Sequence, residues 1–170
     1  MNEELLNEFK EQIIFRLDES SRMNMKSLAL ISEDDVWKRF NESSNSIGNL
    51  ILHLCGNITQ YAIASLGNKE DQRNRDLEFS TEEGYTKAEL LNKLSGTVQE
   101  AKRTILEASQ EEYLRKREVQ GFNFSGIGIA IHVTEHYSYH TGQIAFWVKQ
   151  LKNKDLGFYD GMDLTVKNKQ

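Results

Sequence analysis

The stretch IHVTEHYSYHTGQ, residues 131–143, places His132, His136 and His140 at positions i, i+4 and i+8. Four residues of α-helix turn the chain by about 400°, so the three imidazoles drift only ~40° per step and share one face. With His132 at zero on a helical wheel, Ile129 and Trp147 fall near about 60°, Val133 and Leu151 near about 100°, and Ile144 near about 120°. Glu135, Ser138, Thr141 and Lys149 fall on the other side. The histidine stripe thus coincides with the apolar stripe and is expected to point inward on a helix over about residues 125–151, with Gly126 and Gly128 softening its first turn.

Three further helical segments follow from the same periodicity. Over about residues 2–25, Leu5, Phe9, Ile13 and Leu17 recur every four residues with Leu6 alongside, and acidic residues fall elsewhere. A short helical turn is expected at 32–37. The second long helix spans 47–66, after a polar loop rich in capping residues and before Gly67-Asn68 as its C-cap. The third opens on the capping box Thr86–Glu89 and carries a narrow seam of Leu91, Leu94, Val98, Ala101 and Ile105. Residues 67–85 read as a charged surface crossover, 109–124 as a polar connection, and 156–164 as a short tail. The expected fold is all-α: a single-domain four-helix bundle over residues 1–170, with a long crossover between helices 2 and 3 and short extra helical turns.

Composition agrees and narrows the function. The 170 residues contain no proline, which leaves long helices without their strongest breaker. A net charge of −5 argues against a nucleic-acid binder. The single cysteine, Cys55, has no internal disulfide partner and fits a reducing, cytoplasmic setting. The first ten residues lack the basic start and apolar run of a signal peptide, and no apolar stretch reaches the ~20 residues of a membrane span.

The fourth histidine, His53, shares its side of helix 2 with Leu50, Leu54, Asn57 and Tyr61, whereas Cys55 projects about 200° away. All four histidines therefore aim inward. Four imidazoles in one small core are costly unless paired, and a shared metal ion offsets that cost. Histidines at i and i+4 rise about 6 Å and suit one ion, and the third ligand must come from another helix, where His53 is the candidate. His132 and His140 lie about 12 Å apart along the axis, so the pair on the last helix is His132/His136 or His136/His140, and geometry does not choose. The competing reading is hydrogen-bonded core histidines with no metal.

The segments SIGNLILHLCGN, residues 46–57, and HVTEHYSYHTGQ, residues 132–143, resemble the DinB-like superfamily, in a branch of unknown function. The resemblance covers nearly the whole chain, including Arg75-Asp76 and residues 155–159. It implies a four-helix bundle with a divalent metal on His53, His136 and His140, and leaves His132 as a neighbour or alternative ligand. It also implies a homodimer. Relatives of the superfamily include S-transferases that use a small thiol cofactor such as bacillithiol. By analogy the metal, zinc first and nickel as the alternative, would activate that thiol toward an electrophilic small molecule. Hydrolysis by a metal-bound hydroxide and a non-catalytic, stress-related metal-binding dimer are the alternatives.

Other residues near the motifs have roles to be tested. Asn57 and Gln143 are candidates to hold the histidines' second nitrogens, or to be buried amides tying helices together. Tyr61 and Tyr137 read as core packing. Glu135 points outward and is not expected to act as a base. Arg73 and Arg75 read as a solvated loop, with reach toward an anionic cofactor as the minority reading.

Overall fold

The computed structural model describes residues 3–168, so the expected start of the first helix at residue 2 lies outside the described residues. In order, the elements are α1 (Glu3–Ala29), α2 (Glu33–Val36), α3 (Ile47–Ile58), a π-helical continuation of α3 (Thr59–Leu66), α4 (Arg75–Ser80), α5 (Lys87–Glu107), α6 (Gln110–Leu114), β1 (Lys116–Val119), β2 (Phe122–Ser125) and α7 (Gly126–Lys152). The architecture is mainly helical with one small sheet. α7 packs against both α1 and α3, and α5 closes over α3 and its π continuation. No helix among the described residues is long and apolar enough to cross a membrane.

Caps fix the helix starts. Thr86 Oγ1 accepts from the Glu89 backbone N–H at 3.2 Å, while the Glu89 carboxylate accepts from the Thr86 N–H at 2.8 Å. Ser46 and Asn49 make the same reciprocal pair at the start of α3. Asn49 is fully buried, and its Nδ2 also donates to the carbonyls of Glu78 at 3.0 Å and Thr81 at 2.7 Å. That amide is one of the ties that hold α4 against α3.

Several expectations change. The crossover contains the ordered helix α4 rather than only irregular chain. The connection at 109–124 folds into α6 and a hairpin, with Val119 opposite Phe122 and Lys116 opposite Ser125, so the chain is not purely helical. The two turn residues both adopt left-handed backbone, Gln120 at φ 51° and Gly121 at φ 79°, as a tight hairpin turn requires. Helix 2 does end at Gly67-Asn68 as expected, with Gly67 as the cap and Asn68 in left-handed backbone at φ 54°. On α1 the core side runs through Leu6, Ile13, Leu17 and Leu28 while Leu5 is exposed, because an every-four repeat drifts ~40° per step across the interface. On α5 Leu90 is buried where Leu91 was expected.

The wheel of α7 also shifts. Thr141, expected outside, is buried: it accepts from Asn24 Nδ2 at 2.9 Å and donates to the Tyr137 carbonyl at 2.8 Å. Because α1 covers that flank, the buried arc spans roughly 60° to 180° on the same wheel. The histidine stripe therefore runs along one edge of the core. His140 is buried, whereas His132 and His136 are half-buried at the rim.

Candidate metal centre

Contact between α3 and α7 brings His53 against the histidine stripe. Among the described residues, His53, His136 and His140 form one group whose possible ligand atoms all lie within 4.8 Å of one another. His53 Nε2 and His136 Nε2 face each other at 3.2 Å. Two imidazoles on a common tetrahedral ion, each ~2.0–2.1 Å from it, place their nitrogens about 3.3 Å apart. The ring centroids of His136 and His140 are 4.5 Å apart, and those of His53 and His140 are 4.9 Å apart.

The outer nitrogens are held by acceptors. His53 Nδ1 lies 2.9 Å from Glu78 Oε2, and His140 Nδ1 lies 2.7 Å from Gln143 Oε1. Donation of Nδ1–H to these acceptors leaves each Nε2 lone pair free, the tautomer a metal ligand needs. His136 Nδ1 is buried without a partner, and its Nε2 meets another ring nitrogen. In either neutral tautomer His136 leaves a nitrogen unsatisfied, and a cation between the facing lone pairs relieves the contact. The donor set therefore fits a divalent ion.

The same group is electrostatically prepared. Burial, reinforced by the neighbouring imidazoles, lowers His136 to about 3. Burial likewise lowers His140 to about 4, against the raising effect of Gln143. Both are neutral at pH 7. Between about pH 6.5 and 4 the unfolded chain takes up protons that these folded histidines do not. The metal-free protein is therefore expected to lose stability as pH falls through that window, by up to about 1.4 kcal/mol per pH unit for each histidine. Denaturant melts at pH 7, 6, 5 and 4 check this; a flat midpoint down to pH 4 would contradict it.

Glu78 is the residue that sequence reasoning missed, and Arg73 is the one it misplaced. Arg73 donates through Nε to Glu78 Oε1 at 2.7 Å and through Nη2 to Oε2 at 2.8 Å, and its Nη1 donates to Gln60 Oε1 at 2.9 Å. The Arg73 side chain is only 3% exposed, so it is not solvated, and its donors are already engaged rather than free for a cofactor. Burial works to raise the Glu78 carboxyl, but hydrogen bonds from Arg73 and His53 hold it below the ordinary value. The pair sits so close to α3 that a Cβ on Gly56 would collide with Glu78 Oε1, so a side chain there requires the carboxylate to move. Arg75 lies apart, over the Phe79 ring.

His132 stands beside the trio, its ring centroid 5.5 Å from that of His136, but is not in the group of convergent nitrogens. Its Nε2 faces Asn57 Nδ2 at 3.3 Å, and Tyr61 from the π segment packs on its ring at 4.1 Å between centroids. Asn57 thus meets His132, while Gln143 meets His140. Tyr61 and Tyr137 are both buried; Tyr137 Oη shares a hydrogen bond with Ser21 Oγ. Glu135 is exposed. Cys55 is buried away from the trio with its thiol pushed up to about 11 by burial, which leaves it inert as a nucleophile.

Comparison with known proteins agrees with this fold. No curated protein sequence matches the chain. Among solved structures, a DinB-like protein (YjoA) from Bacillus subtilis superposes with a TM-score of 0.66 at 18% identity, covering 87% of this chain and 96% of that one. Residues 4–159 match a family described as a protein of unknown function (DUF1572). The chain therefore belongs to the DUF1572 family.

Proposed function

We propose that this protein is a divalent-metal-binding four-helix bundle of the DinB-like type, with His53, His136 and His140 as ligands and zinc, or alternatively nickel, as the ion. The observation that supports this reading is the convergence of three ring nitrogens within 4.8 Å, two of them with their outer nitrogens anchored on Glu78 and Gln143. Three neutral imidazoles leave a fourth position open, as in catalytic rather than closed structural sites. A metal there supplies Lewis acidity that lowers the pKa of a bound thiol or water.

Thiol S-transfer is the reaction we favour, on the superfamily resemblance. In it the sulfur of a small thiol forms a bond to an electrophilic carbon, the leaving group departs with the bonding pair, and the thiol proton passes to solvent. The chain's own part is to keep both outer nitrogens donated and to pack aromatic rings against the ligands. Phe79 covers His53 at 4.8 Å between ring centroids, and Tyr139 covers His140 at 4.9 Å. A homodimer and a cytoplasmic location belong to the same proposal.

Elemental analysis of the purified protein and melting curves with added zinc or nickel test the metal. One equivalent per chain and a rise in melting temperature of several degrees are expected, since a ligand at 100 times its Kd adds about 2.7 kcal/mol. No metal and no shift would end this reading. Turnover of bacillithiol with a generic electrophile then tests the reaction separately.

A further inference from the structure

A groove of about 660 Å³ lies beside the trio, between α7, Leu50 of α3 and the segment that joins α2 to α3. Its walls include Phe40, Tyr139, Phe146 and Trp147. Phe40, Tyr139 and Phe146 are 70%, 61% and 65% exposed, an unusual concentration of bare aromatic surface in one depression. Phe40 stands edge-on to Trp147 with centroids 5.3 Å apart. In a chain 28% charged, none of the eleven lining residues carries a charge; the polar ones are serines, amides and the Tyr139 hydroxyl.

The groove is tied to the metal centre through Tyr139, whose ring meets that of His140, and through Gln143. Gln143 lines it, accepts from His140 Nδ1 through Oε1, and donates through Nε2 to Tyr139 Oη at 3.1 Å. A molecule lying along the aromatic wall would therefore sit one residue from a proposed ligand. The volume suits a small organic molecule, and the absence of charge disfavours anionic or cationic ones, whose desolvation nothing here would offset.

We propose that this groove binds an uncharged, aryl-bearing small molecule, the acceptor substrate of the neighbouring metal centre. The role as substrate rests on the metal-binding reading; the binding itself does not. Aromatic faces supply the affinity, and Gln143 and Gln150 supply orienting hydrogen bonds.

The test uses 15N-labelled full-length protein, metal-free and zinc-treated, titrated with 4-nitrobenzyl alcohol and with its anionic counterpart 4-nitrobenzoate. Saturable amide shifts confined to residues 40–45 and 139–150 are expected for the alcohol, with at least about five-fold weaker binding of the benzoate. Phe146→Ala should weaken the alcohol about five-fold while the rest of the spectrum stays folded. Equal binding of both probes, shifts elsewhere, or no saturation would overturn the proposal. So would concentration-dependent shifts of the same residues without probe, which would mean that a second copy fills the groove. Zinc content is measured on each sample, so a protein that binds the alcohol but no zinc retains the groove and loses the metal reading, and the reverse result loses only the groove.

Discussion

Glu78→Ala is expected to cost about 3–5 kcal/mol of stability, a fall in melting temperature of roughly 10 °C. The reason is the partner left behind. Arg73 is 3% exposed, and Glu78 receives two of its hydrogen bonds. Without that carboxylate a guanidinium stays buried beside Gln60 and the edge of His53. The substitution also frees His53 Nδ1, and loss of an orienting acceptor is expected to weaken metal binding by about 10–100-fold. The double variant Arg73→Met/Glu78→Ala separates the two effects. With both charges gone, stability should return most of the way, because an apolar replacement of a buried pair is often neutral. Metal affinity should remain low, because His53 still lacks its acceptor. Gly56→Ala should mimic the affinity loss without altering any charged group, since its Cβ occupies the place of Glu78 Oε1. Calorimetric melts and zinc titrations read both quantities. A single variant within 1 kcal/mol of the parent would show that Arg73 does not depend on Glu78.

Glu78 also shows where sequence reading stops. The histidine helix was legible because its signal is local: three imidazoles at four-residue spacing stay on one face whatever surrounds them. The capping box at Thr86 was legible for the same reason, as both partners lie within one turn. Glu78 reaches His53 across 25 residues, and its approach depends on Asn49 pinning α4 and on the missing Cβ of Gly56. None of these has a periodicity. The hairpin was hidden because Gln120, rather than the usual Asn or Asp, precedes Gly121 in its turn. The edge position of the histidine stripe was hidden too. The wheel knows α7's own sequence, but the arc buried by α1 is set by a helix more than a hundred residues away, as the contact of Asn24 with Thr141 shows. The difference matters for the site, since a stripe at the rim leaves His132 and His136 only partly buried while His140 is covered.

The largest expected effect is on metal binding itself. His53→Ala and His140→Ala should each lower zinc affinity by at least about 100-fold and reduce the metal retained on purification to near zero. A site of about four donors worth 10–16 kcal/mol in total loses roughly 3 kcal/mol with each. His132→Ala should stay within about threefold of the parent, below the effect expected from losing even an orienting partner. The difference follows from position: His132 Nε2 faces Asn57, and its ring is stacked on Tyr61, outside the trio. If His132→Ala empties the site and His140→Ala does not, the ligand pair on α7 is His132/His136. The acid behaviour of the metal-free protein gives an independent check on the same residues. His140 is held near 4 by burial, so a chain without it no longer resists that proton on folding. The fall in stability between about pH 6.5 and 4 should then become shallower by up to about 1.4 kcal/mol per pH unit in His140→Ala. A variant that loses metal yet folds, and resists acid better than its parent, would show that His140 is kept in the core at a cost to the empty protein. Recovery of that cost on loading is what a ligand, and not a packing residue, provides.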